Sequence, residues 1–151
     1  MEDKKPIGFA INNFRIEQFA TIPGFDGSQK EYNLSVQIGF SADARNKLIG
    51  NSMEVKFLSE EDKPFLITAI VGLFETNPDN WDNLLSDDGA AYVIPLHVAH
   101  HLSVITTGTM RGILIAKVLD TAPEYAAFVL PTLTLTDIIT EDATLPVGIA
   151  C

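Results

Sequence analysis

The chain has a single cysteine, Cys151, at its last position. One thiol excludes an intrachain disulfide and cannot by itself build a cysteine-rich zinc site. Basic residues are scarce too: Lys plus Arg number 10 against 20 Asp plus Glu, the formal charge is −10, and no basic cluster exceeds Lys4-Lys5. The footprint of a nucleic-acid or anionic-membrane partner is therefore missing, and an acidic surface favours basic or near-neutral partners. There is no phosphate-cradling loop, because Gly24–Gly27 (GFDG) lacks the Lys-Ser/Thr ending and the strand-to-helix setting. A hydrolase triad drawn from Ser103 or Asp137 has no GxSxG elbow to support it. No stretch reads as the ~20 apolar residues that cross a bilayer, and the opening MEDKKPIGFAINNF mixes acids into its charged part, unlike a secretory signal. These absences lead us to expect a soluble, cytoplasmic protein that is not an enzyme and carries no cofactor.

What is present supports a packed core. Hydrophobic residues make up 46% of the 151 and charged residues 20%. A chain of this length buries about two-thirds of its unfolded surface as one domain. Tyr32, Leu34, Val36, Ile38 and Phe40 alternate with polar or small residues, the period of a half-buried strand. Phe14 and Ile16 alternate with Arg15 and Glu17, and Met53, Val55 and Phe57 with Glu54 and Lys56, which predicts two more strands. From Phe65 to Phe74 both parities are apolar, so a fourth strand covered on both sides is expected. The short polar SEEDKP connector, Ser59–Pro64, suits an antiparallel hairpin.

Helical signals begin at Asn77-Pro78-Asp79, a cap, a proline at the first helical position and an acid at the positive end of the dipole. Trp81, Leu84 and Leu85 follow, and SDDG at Ser86–Gly89 ends that element. Pro95 opens a second helix with Val98, Leu102 and Ile105 as its apolar stripe; Thr106, Thr107 and Gly108 weaken its end and Gly112 lies just beyond it. Ile113–Val118 reads as helix continuation or short strand, and DTAPEYAA as loop. Thr132–Leu135 alternates as an extended piece, Thr136-Asp137 caps one helical turn, and the tail after Asp142 is irregular. Strands first and helices after predict an α+β fold: an antiparallel sheet over 9–75, a helical part over 77–142 and a tail over 143–151, all one domain spanning 1–151.

All three histidines fall in HVAHH: His97, His100 and His101. The spacing suits one helical face, but no acid or cysteine completes a ligand set nearby and the glutamate of HExxH is missing. Structural histidines are favoured, with no metal and no catalytic residue. Acid pairs such as Glu60-Glu61 and Asp87-Asp88 sit in expected turns, where a solvated surface is the plain reading. Apolar residues in excess remain: Phe128, Leu130, Leu133 and Leu135 lie in an extended region that serves either as core or as a binding groove.

Several motifs, in order, resemble the SecB-like family of protein-export chaperones over about residues 10 to 140. Gly72-Leu73-Phe74 is similar to the family's Gly-Ile-Phe at the end of its fourth strand. The stretch VIPLHVAHHLSVITTGTMRG is similar to its long helix, opening at Ile94-Pro95 and ending near Arg111-Gly112; LPTLTLTDII is similar to the Pro-x-Leu-x-Leu run before its last short helix. Ile113–Val129 is longer than that pattern, a departure. The resemblance implies a four-stranded antiparallel sheet with a long helix and short helices on one face. It also implies a homotetramer, a dimer of dimers with its long helices sandwiched between sheets, which holds unfolded polypeptide clients in apolar grooves without ATP. Candidate client-binding residues are then Phe25, Trp81, Phe128, Leu130, Leu133 and Leu135; candidate interface residues are Val98, His101, Leu102 and Ile105. Delivery to the SecA motor is implied less well. Thr68 stands where the family carries an acid on the fourth strand, and the tail ends early at Cys151. A toxin–antitoxin component is the alternative partner, bound by a scaffold or adaptor.

Overall fold

Four long strands carry the period of two read above. The computed structural model of the chain describes residues 8–22 and 31–147. Strands β1 (Phe9–Thr21), β2 (Asn33–Asp43), β3 (Leu48–Leu58) and β4 (Pro64–Thr76) form one antiparallel sheet in the order β1-β4-β3-β2. The SEEDKP connector closes the β3–β4 hairpin: the Ser59 N–H donates to the Lys63 carbonyl at 2.8 Å, and Asp62 takes the left-handed conformation at φ 60°. Aspartate tolerates that region better than most residues.

One face of the sheet is the core. Ile49, Met53, Val55 and Phe57 of β3 and Leu66, Ile70 and Phe74 of β4 are all within 2% of complete burial. The other face of β4, Ile67, Ala69, Val71 and Leu73, is only half-buried, so the strand expected to be covered on both sides is covered on one in this chain. Thr68 belongs to the buried row at 1% exposure, which takes it off the surface where a docking acid would stand. Phe14 of the edge strand β1 pairs with Gly72 and lays its ring there; a Cβ at Gly72 would come within 2.6 Å of it. The same ring meets Phe74 edge-on at 5.9 Å. Gly72 is therefore required by the aromatic that covers it.

Asn77 caps the next element by accepting from the Asp79 N–H at 3.1 Å, as the sequence predicts, but the element is a 3₁₀ turn, Pro78–Leu84. A short strand β5 (Ala91–Ile94) follows, and then α1 (Leu96–Thr121). This helix is 26 residues long and runs through Gly108 and Gly112, past the end expected at those glycines. A glycine costs about 1 kcal/mol relative to alanine in a helix. Burying Met110, Leu114 and Val118, which continue the inner stripe at four-residue steps, returns about 1.5–3 kcal/mol each. Packing prevails over propensity, and Ile113–Val118 is resolved as helix continuation.

Beyond a 3₁₀ turn at Pro123–Tyr125 the chain crosses back in extended form to a single helical turn, α2 (Leu135–Ile138), and then β6 (Ala143–Pro146). Residues Ala143–Pro146 of the tail expected to be irregular pair with β5 instead, from Ala91↔Pro146 to Ile94↔Ala143. That ladder sets Asp142 at the start of α1, where its carboxylate accepts the Leu96 N–H at 2.7 Å. Pro95 has no side chain to cap the helix, and an acid from 46 residues away does so. The architecture is α+β, with a four-stranded antiparallel sheet, one long helix and short helices on one face.

Candidate functional site

The core has two parts along α1. One gathers Ile49, Phe74, Trp81, Leu84, Tyr92, Ile94 and Ile139 around the first half of the helix; the other gathers Met53, Phe57, Phe65, Met110, Leu114, Tyr125, Phe128 and Leu130 around its second half. Between them Asn51, Ser103 and Thr106 are at most 1% exposed, and Asn51 Nδ2 donates to the Gly39 carbonyl at 3.2 Å and to Ser103 Oγ at 3.4 Å. A polar seam under a helix was not legible from the apolar pattern.

The helix is apolar outside as well as inside. His97, His101, Val104, Gly108, Gly112, Ile115 and Leu119 follow steps of three and four and form its exposed face. Val104 is 59% exposed and Leu119 63%, and no charged residue lies on this stripe. Cβ atoms added at Gly108 and Gly112 would meet nothing. Being apolar on both faces, α1 is also long and apolar enough to cross a membrane by length and composition, with a mean hydropathy of 1.4, contrary to the sequence expectation. Core helices of soluble proteins meet the same criterion, and the inner face of α1 packs on β3 and β4. A second uncovered row lies on the same side of the sheet. Ile11 and Ile16 of β1 share register with inward-facing Phe74 and Ile70, yet they are 56% and 45% exposed.

The interface candidates divide accordingly. Leu102 is completely buried, and Val98 and Ile105 are partly buried against the same core, so the predicted stripe is the inner face of α1; only His101 lies outside. The large apolar side chains that α1 exposes are Val104, Ile115 and Leu119, which the sequence analysis did not single out. The histidines diverge. His97 and His101 face outward, while His100 Nε2 donates to the Ile139 carbonyl at 2.7 Å and ties α2 to α1. Among the described residues no three His, Cys, Asp or Glu side chains gather as a metal set would.

The client-binding candidates mostly turn inward. Trp81 is 1% exposed and packs on Tyr92 at 5.1 Å; Phe128 and Leu130 are 5% and 1% exposed. None offers an open surface in this conformation, which corrects the groove reading: the extended segment carries its apolar side chains into its own core. Leu133 is half-buried against that core, and Leu135, expected to be extended, begins α2 and is half-exposed. Phe25 lies outside the described residues. The segment from Ala126 to Thr134 is clasped from α1 by Arg111, whose Nε and Nη2 donate to the Leu130 and Pro131 carbonyls, each at 2.9 Å. Tyr125 beside it has its hydroxyl pKa raised, first by burial and then by the charge of Glu124, with the Thr21 side chain drawing it partly back.

No family model matches the chain, and no curated protein matches it. Two solved structures are similar in shape. One is a SecB-like chaperone from Mycobacterium tuberculosis in complex with a ChAD peptide from an antitoxin, 14% identical over 83% of this chain and 91% of that one, with a TM-score of 0.47. The other is a protein of unknown function from Streptococcus agalactiae, 13% identical over 85% of this chain and 100% of that one, with a TM-score of 0.40. With scores this low and so few identical residues, neither likeness carries a function over to this chain.

Proposed function

We propose that this chain is a non-catalytic, ATP-independent holdase that works in the cytoplasm as an assembly of several copies and binds unfolded polypeptide. The observation that carries the reading is the pair of uncovered apolar rows, Ile11 and Ile16 on β1 and Val104, Ile115 and Leu119 on α1, all 41–63% exposed on one side of the sheet. Large apolar side chains in contiguous rows mark surfaces that another chain covers. At ~25 cal/mol per Å2, a few hundred Å2 of client or partner surface on such rows supports useful binding, and several copies add avidity. The α1 stripe suits self-association, because Gly108 and Gly112 at its centre let a second helix approach closely. A homotetramer is the assembly the SecB resemblance implies. The charge of −10 favours encounter with basic clients.

Burial of Trp81, Phe128 and Leu130 favours a second reading, an adaptor whose apolar rows serve only self-assembly and one folded partner such as a toxin–antitoxin component. Light scattering with and without a chemically unfolded client separates the two. The holdase is expected near 66 kDa, four times the 16.5 kDa chain, to gain mass with client and to suppress client aggregation at stoichiometric concentration. Leu119→Asp should lower the mass at least to a dimer. Assembly without client uptake would establish the adaptor, and a monomer indifferent to client would remove both readings.

A further inference from the structure

The segment from Ala126 to Thr134 behaves as a guest in its own chain. From Ala127 to Pro131 its burial alternates as a strand's would, with Phe128 and Leu130 inward and Val129 41% exposed, yet among the described residues it joins no ladder. Phe128 is seated among rings carried by other elements: Phe65 at 4.9 Å, Tyr32 at 5.4 Å and Phe57 at 6.0 Å. Phe57 and Phe65 stand on the sheet, so the seat is rigid where its occupant is not built into secondary structure. The clasp is also indifferent to sequence, because Arg111 donates only to main-chain carbonyls, which any extended polypeptide presents. Both ends are pinned separately, by buried Tyr125 before it and by the His100–Ile139 contact after it.

We propose that this strap is the resident occupant of a polypeptide-binding groove, and that an incoming extended segment with two large apolar side chains two residues apart displaces it and takes its seat. The inference rests on the polypeptide-holding reading and names the groove for it. The strap shows the ligand's pattern: aromatic or aliphatic residues at Phe128 and Leu130, an uncharged residue between, and free carbonyls for Arg111. Charge adds a preference. Tyr32 also lines a cleft of about 380 Å3 that includes Glu60, so a Lys or Arg flanking the apolar pair gains that carboxylate as a neighbour. Because the strap is tethered, its effective concentration is in the millimolar range and weakens the apparent affinity of any outside segment.

The test uses the full-length protein and a fluorescein-labelled peptide of the strap sequence, AAFVLPTLT, extended by two lysines, with Phe and the first Leu changed to Ser in a control. Phe128→Ser, confirmed folded by circular dichroism, should bind the peptide at least tenfold more tightly than the unaltered chain, and the control peptide should bind neither. In the unaltered chain, saturating peptide should speed hydrogen exchange within 126–134 and leave it unchanged at Phe57 and Phe65, which are covered by strap or peptide alike. Peptide or client binding that leaves exchange in the strap unchanged overturns the inference while the holding reading stands. Failure of the peptide to bind either protein also overturns it, and client uptake by light scattering then decides the holding reading separately. Should the Phe128→Ser chain not fold, the exchange measurement on the unaltered chain decides alone.

Discussion

Two segments return to α1 after it ends, and they are held by different means. The strap, 126–134, is held by side-chain burial and by one arginine donating to two carbonyls. The closing segment, Asp142–Pro146, is held by a four-pair ladder to β5 and by a carboxylate on the first N–H of α1. A ladder satisfies main chain with main chain and leaves no seat behind when it opens; the strap, on opening, leaves a ring-lined groove and a guanidinium. Attachment through side chains makes a segment replaceable by another sequence of similar pattern, whereas attachment through a ladder and a cap makes it part of the frame.

The largest effect that tests this contrast compares Phe57 with Phe128. Both are buried, at 0% and 5% exposure, and they touch each other. Truncating a buried Phe costs about 3–5 kcal/mol when the structure around it holds fast. Phe57→Ala, in the middle of the sheet, should lose that whole amount in urea unfolding. Phe128→Ala should lose about half or less, because the strap can lift away without unfolding the sheet. Equal losses would make the strap ordinary core and erase the distinction.

Next in size is Asp142→Ala. Removing a side-chain oxygen that caps a helix costs about 1 kcal/mol, read as a lower urea midpoint at an unchanged slope. The loss should be global, with amide exchange rising together in α1 and in the β5–β6 pair. Arg111→Gln should instead raise exchange in the strap alone. If Asp142→Ala loosens only residues 142–146, the closing segment is no more a part of the frame than the strap is.

This difference also explains what the sequence made legible. The four strands showed because alternation is local: Tyr32–Phe40 and Met53–Phe57 announce their faces within a few residues. The β5–β6 ladder stayed hidden because four-residue strands carry too little period, and the cap by Asp142 because its partner is 46 residues away. Helix α1 was read short because Gly108 and Gly112 are breakers by propensity, while the burial that overrides them depends on a sheet a single window does not contain. Its two faces were hard to tell apart for a related reason: with apolar residues on both sides, only packing against β3 and β4 says which is inside. The candidate site was half legible. Phe128 and Leu130 were singled out as apolar residues in extended chain, but that they turn into the core of their own chain depends on Phe57 and Phe65, which lie far away in sequence.

The smallest effects lie at opposite ends of the pH scale and distinguish the same two regions. Beside the strap, Tyr125 has a pKa raised above its ordinary 10.0. A group whose folded pKa is raised lends stability that is complete below the unfolded value and is lost as pH rises through the folded one. The strap should therefore loosen above pH 10, seen as faster proteolysis within 126–134 as phenolate absorbance appears. Beside the closing ladder, Asp88 accepts from the Ser86 hydroxyl and from the Ala90 N–H in the turn that leads into β5, and its pKa is lowered below 3.8, first by Ser86 and then by Ala90. A lowered folded pKa reverses the sign: that contribution is present above the unfolded value and fades as pH falls through the folded one. Backbone resonances of Ala91–Ile94 should shift with acid, and Asp88→Asn should abolish that titration while leaving the alkaline one at the strap intact. Loss of both in the Asp88→Asn chain would mean that strap and ladder open as one unit, and a groove that empties while the frame stays closed would no longer be tenable.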